Sequence, residues 1–161
     1  MIKLTDSEIS KYFRRSYTAV DGLWFIKVEE KYGFDTALDI DNEVWKVMPK
    51  IQARFLKSKI KKKKGLDALF ECFTTKLKFD GFKFKAEKEN NNIIKITISS
   101  CPWHNIMIKS KRTELSEKIG SRICNTEYKV WASEFGKNIS FKLKDQICRG
   151  SKSCRLVFST I

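Results

Sequence analysis

The chain has 161 residues, 42% of them apolar and 12% aromatic, enough for one domain with a packed core and short for two. Its opening residues, Met1 to Glu8, turn polar at once and no later run reaches the roughly 18 apolar residues that cross a bilayer, which argues against a signal peptide or a membrane span and predicts a soluble, cytoplasmic protein. A net charge of +14 admits an anionic partner, and five cysteines without a secretory signal point to metal ligation or burial in place of disulfides.

Thr5-Asp6-Ser7-Glu8 has the form of a capping box, so a helix is expected to follow, with Ile9, Phe13, Tyr17, Val20, Trp24 and Val28 at helical spacing through Glu30 and Gly33 as its stop. Gly22 is its weak point, costing up to about 1 kcal/mol against Ala. Asp41-Asn42-Glu43 reads as the acidic start of a second helix carrying Val44, Val47, Met48, Ile51, Phe55 and Leu56, bent at Pro49 and running into the lysines of 57–64 before Gly65. A third helix covers Leu66 to Phe79, with Leu69, Phe70, Cys72, Phe73 and Leu77. After the Asp80-Gly81 turn the period becomes two. Phe82, Phe84 and Ala86, then Ile94, Ile96 and Ile98, alternate with polar residues on either side of Glu89 to Asn92, which predicts a hairpin. Pro102 opens a short helix. A longer one, capped by Thr113 or Ser116, carries Leu115, Ile119, Ile123, Cys124, Val130, Trp131 and Phe135 up to Gly136. Ile139, Phe141 and Leu143, then Leu156 and Phe158, form a second hairpin whose connection holds Cys148 and Cys154. The expected fold is α+β in one domain over 1–161: an antiparallel sheet of two hairpins packed against N-terminal helices (1–80) and the helices between the hairpins.

The sharpest chemistry lies at the end of the chain. Cys148 and Cys154 flank a glycine-containing turn, Asp145 precedes the first by three residues, and Cys124 lies twenty-four residues before it. Zinc takes four ligands, thiolate sulfur at about 2.3 Å and carboxylate oxygen at about 2.0 to 2.2 Å, so Cys124, Asp145, Cys148 and Cys154 are candidate metal ligands that would tie helix to hairpin. Burial as free thiols is the plain alternative.

Cys101-Pro102-Trp103-His104 contains the only histidine. A thiol at a helix start lies near free amides that favour a thiolate, so Cys101 and His104 form an alternative catalytic pair if the imidazole reaches the sulfur. Trp103 and His104 also suit the wall of an apolar pocket, the indole and imidazole anchoring a small aromatic or carboxylate ligand. A third reading makes Cys101 and His104 metal ligands in competition with Cys124 or Asp145. The lysines of 57–64 read more readily as a solvated helix end than as a nucleic-acid contact, because no aromatic platform is interleaved with them.

The helical cysteine, the acid, the two cysteines around a turn and the alternating strand together resemble the end of vinyl-4-reductase domains. In the phenol-sensing members the corresponding residues bind a structural zinc, which implies Cys124, Asp145, Cys148 and Cys154 as ligands. Asp145 stands where those sensors have Glu, and the turn is two residues shorter. Trp24 to Gly33, Asp41 to Trp45 and Cys101 to His104 are similar to L-2-amino-thiazoline-4-carboxylate hydrolase-like proteins. Both groups resemble the ligand-binding domain superfamily of haem nitric-oxide sensors and trafficking-complex subunits. What these resemblances imply is a cavity between helices and sheet that takes an apolar or aromatic small molecule, with hydrolysis of small heterocyclic carboxylates by Cys101 and His104 as the alternative. A homodimer is compatible with the sequence.

Overall fold

The computed structural model describes residues 2–160. The chain is α+β, and its contacts divide it into two compact units, one ending at Asp41 and one starting at Asn42.

The first unit holds helix α1 (Asp6–Tyr32) and most of α2 (Phe34–Val44). The capping box forms as the sequence predicts: the Glu8 amide donates to Thr5 Oγ1 at 3.3 Å and the Thr5 amide to Glu8 Oε2 at 2.8 Å. Gly33, at φ 86°, ends the helix. Phe25 packs edge-on against Phe34, their centroids 5.9 Å apart.

The second expected helix differs from its prediction at both ends. Asp41 to Glu43 lie in the last turns of α2, and the chain turns over Trp45 to Val47 before α3 (Met48–Lys57), which has Pro49 in its first turn. That is where proline's missing N–H costs nothing, so a break replaces the expected bend. Asn42 is buried and its Oδ1 accepts from Thr126 Oγ1 at 2.6 Å, which is why this polar pair does not open a helix. The lysine run is not helical either: α3 stops at Lys57, and Lys61 to Lys64 are exposed in an irregular connection, as expected of adjacent like charges without partners one turn away. Several of its lysines are engaged locally, Lys57 over the Phe135 ring, Lys59 over Phe55 and Lys62 with Asp67 at 2.8 Å. Gly65 begins α4 (Gly65–Asp80) and does not end α3.

The four strands are β1 (Lys83–Asn90), β2 (Ile93–Ser100), β3 (Ile139–Asp145) and β4 (Cys154–Thr160). Their order is β1-β2-β4-β3, antiparallel throughout, so the two predicted hairpins join through β2 and β4. Between them run α5 (Pro102–Lys109) and α6 (Thr113–Phe135). Alternation turns Ile94, Ile96, Ile98, Leu156 and Phe158 inward against α4 and α6. Phe73 of α4 sits at the centre, edge-on to Tyr128, Trp131 and Phe158 with centroids 5.2 to 5.4 Å apart. One cation lies in this core. Lys76, 3% exposed, donates to Glu127, pairs with Asp80 at 3.1 Å and lies over the rings of Phe82 and Tyr128. Burial works against the ammonium, but the two carboxylates outweigh it and hold its pKa above the ordinary lysine value.

Among the described residues no helix is long and apolar enough to cross a membrane.

Candidate metal centre

The pairing of β2 with β4 builds one end of the site. Cys154, the first residue of β4, stands opposite Ile98, and β2 then runs through Ser99 and Ser100 to Cys101. Cys101 is the residue before α5, extended at φ −109° and ψ 118°, with Pro102 in the first helical turn. The free amides of Trp103 and His104 are thereby directed at the Cys101 sulfur.

The other end is where the β3–β4 connection meets α6. After β3 the chain makes a 3-10 turn over Ile147 to Arg149, closed by Gly150 at φ 85°, a left-handed conformation that glycine adopts without strain. This turn is fastened at several points. Gln146 Nε2 donates to the Gly120 carbonyl at 3.0 Å, Arg149 pairs with Glu117 at 3.2 Å, and the Ile147 amide donates to Cys154 Sγ at 3.3 Å. The result seats Cys148 on α6 at Gly120, one turn before Cys124. A β-carbon on Gly120 would lie 2.7 Å from Cys148 Sγ, so only glycine leaves room for the sulfur there.

Four cysteines therefore gather from four segments: Cys101 before α5, Cys124 on α6, Cys148 in the turn and Cys154 at the start of β4. Each is partly exposed, and each thiol is pushed up in pKa. For Cys101 burial pushes it up to about 11, against the amides of His104 and Trp103, with Cys154 adding to the rise. For Cys124 burial comes first, followed by the charges that Cys101, Glu127, Cys148 and Cys154 would place near it. Cys148 and Cys154 are likewise raised, by burial and by neighbouring cysteines. The fifth cysteine, Cys72, is raised to about 11 by burial in the core, with Glu71 as its charged neighbour and none of the four among the causes.

As the side chains stand, no three His, Cys, Asp or Glu among the described residues converge closely enough to chelate an ion. The donor types suit a soft or borderline divalent metal: four thiols within each other's electrostatic reach, amides directed at two of them and a glycine seat for a third, with protonation keeping the sulfurs neutral in the metal-free chain.

Asp145 lies elsewhere. The register slips between Leu143 and Asp145, so the strand bulges and Asp145 leaves the inward alternation of Phe141 and Leu143 to stand opposite Arg155. Arg155 Nε donates to its carboxylate, which lowers the Asp145 pKa. In the Cys101 to His104 segment, His104 Nδ1 is 2.8 Å from the buried Ser116 hydroxyl, and it is the His104 amide, not its ring, that the Cys101 sulfur meets. Trp103 is half-buried, edge-on to the buried Trp45 with centroids 6.0 Å apart. Of the predicted site residues, the structure thus brings Cys124, Cys148, Cys154 and Cys101 within electrostatic reach of one another without any three converging on one point, places Trp103 and His104 just after Cys101 on α5, and turns Asp145 toward Arg155. Gly120 escaped sequence reasoning, although a glycine four residues before a cysteine on one helix was a readable signal. So did Ser116, read only as a cap.

A family model described as "Family of unknown function (DUF6125)" matches residues 4–152, and the chain belongs to that family. No curated protein matches it.

Proposed function

We propose that this protein is a zinc-containing domain for an apolar or aromatic small molecule, with a structural zinc held by Cys101, Cys124, Cys148 and Cys154. The observation that supports this most directly is the seating of Cys148 on Gly120 beside Cys124, within electrostatic reach of Cys101 and Cys154. Four protein sulfurs leave no open position for substrate, so the ion's chemistry is to fasten, not to polarise. It would join β2, α5, α6 and the β3–β4 turn. Asp145 is left out of this set because its carboxylate serves Arg155.

The small molecule belongs beside Trp103 and His104. Trp103 and Trp45 give an aromatic wall, and the His104–Ser116 pair gives one polar anchor next to it. The hydrolase reading asks for an ionised Cys101 activated by His104, and has against it a thiol held near pKa 11 and an imidazole bonded to Ser116.

Metal analysis of purified protein tests the zinc. One zinc per chain is expected, lost on Cys101→Ser and Cys124→Ser and kept on Asp145→Asn. Zinc that survives Cys101→Ser but not Asp145→Asn would return the fourth position to the acid, and protein free of metal without chelator would end the proposal. For the ligand, quenching of tryptophan fluorescence by phenol should weaken in Trp103→Leu while the zinc content stays the same.

A further inference from the structure

Helix α1 has 27 residues and buries one of them, Phe25. Its large apolar side chains lie outside: Tyr12, Phe13, Val20 and Leu23 are 58% to 67% exposed, and Ile9 and Trp24 are exposed as well. Ile9, Phe13, Ser16, Val20 and Leu23 follow one another at steps of four, three, four and three, which places them in a single stripe along one face, with Tyr12 and Trp24 at its borders. Helices of this length gain most of their stability by packing such a face.

We propose that α1 is the surface through which two copies of this chain pair, antiparallel, with the Ile9 to Leu23 stripes facing each other. Charge selects the occupant. The chain carries +14, so two copies repel over most of their surface, yet α1 is neutral, its five carboxylates matched by five basic side chains. An anionic bilayer or a nucleic acid would be drawn to the lysines of 61–64 and finds no basic excess on α1. Charge also selects the direction. Asp6, Phe13, Val20 and Lys27 lie on one line at steps of seven. Antiparallel pairing brings Asp6 of each copy toward Lys27 of the other and opposes the helix dipoles, whereas parallel pairing sets Asp6 on Asp6 and Lys27 on Lys27. Six exposed side chains of about 100 Å² each give about 1,200 Å² across two copies, the lower bound of stable interfaces. Ser16, small and central in the stripe, allows the two backbones to approach. Glu8, Lys11, Tyr12, Arg15, Ser16 and Ala19 line an open, shallow surface beside the stripe.

Sedimentation equilibrium on the full chain tests this. The expected mass is twice 18.8 kDa, with a monomer on Val20→Glu at unchanged helical circular dichroism and unchanged zinc content. Asp6→Lys and Lys27→Asp should each raise the dimer dissociation constant about tenfold, equivalent to about 1.4 kcal/mol, and together should restore it. A monomer at every concentration, a dimer indifferent to Val20→Glu, or a double exchange without rescue overturns the proposal. So does a monomer that binds phosphatidylserine vesicles through Val20, which would assign the stripe to lipid.

Discussion

Up to Cys124, α6 offers a glycine and a cysteine to a turn of chain. From Glu127 onward it offers Glu127, Tyr128, Trp131 and Phe135 to the core. The second half solves burial with area: Trp131 and Phe135 stack at 6.1 Å, Phe73 meets Tyr128 and Trp131 edge-on, and the buried cation Lys76 is matched by Glu127 and Asp80. Around the first half, burial outweighs the nearby cations, Lys76 for Cys101 and Arg149 for Cys148, so the thiols stay raised. A core tolerates a charge when the counter-charge is in the chain. Thiols raised in pKa by burial stay protonated and need no counter-charge in the metal-free protein.

Substitutions on either side of Cys124 should separate the two halves. The largest effect is expected in the core. Glu127→Gln leaves Lys76 buried with Asp80 alone and should cost about 3 kcal/mol in urea unfolding, the usual result of breaking a buried ion pair from one side, while zinc content is unchanged. If zinc falls in step, the halves are not independent. Gly120→Ala comes next. Its β-carbon would stand 2.7 Å from Cys148 Sγ, so the turn must move, at about 1 to 3 kcal/mol by the measure of overpacking, and here zinc should be lost as well. Gly22→Ala is its control: nothing lies within 4 Å of the new carbon and φ is ordinary, so it should stabilise the chain by about 0.5 to 1 kcal/mol. The mildest probe is pH. Thiols raised by burial and by one another are protonated at neutral pH in the metal-free protein, so a zinc ion held by them, as proposed, would displace their protons. Calorimetry in buffers of different ionisation enthalpy should report about four protons released per zinc, and affinity should fall as the pH falls. Release of two protons or fewer would mean that the four sulfurs do not act together.

Sequence periodicity was sufficient for the core half of this helix and for both hairpins, because Ile94, Ile96, Ile98, Leu156 and Phe158 alternate without interruption and the buried face needs only that pattern. The capping box of α1 was equally legible, since its two hydrogen bonds are local. The break between α2 and α3 was not. Pro49 fits a bend inside a helix or the start of a new one, and Asn42, which reads as a cap, is held instead by Thr126, eighty-four residues away. The metal candidates were half legible for a similar reason. Cys124, Cys148 and Cys154 stand out by spacing, but Cys101 is carried toward them by the β2–β4 register, and Asp145 is turned to Arg155 by a one-residue bulge. Neither event has a local signature. The Lys76 ion pair also lay out of reach, because Lys76 and Glu127 are fifty-one residues apart and each looks like an ordinary exposed residue of its helix.

The strand order carries a consequence for how the chain is made. β4 follows the other three described strands in the chain, yet it occupies an inner position, bonded to β2 on one side and β3 on the other. Until it emerges, the edge of β2 stays open and β3 has no strand to pair with, so from Ser100 to Cys154 the nascent chain carries unsatisfied backbone and exposed isoleucines. Cys154 stands at the head of that strand. Cys154 therefore arrives with the strand that closes the sheet, and a ribosome-bound chain stopped short of it would be a target for chaperones and proteases.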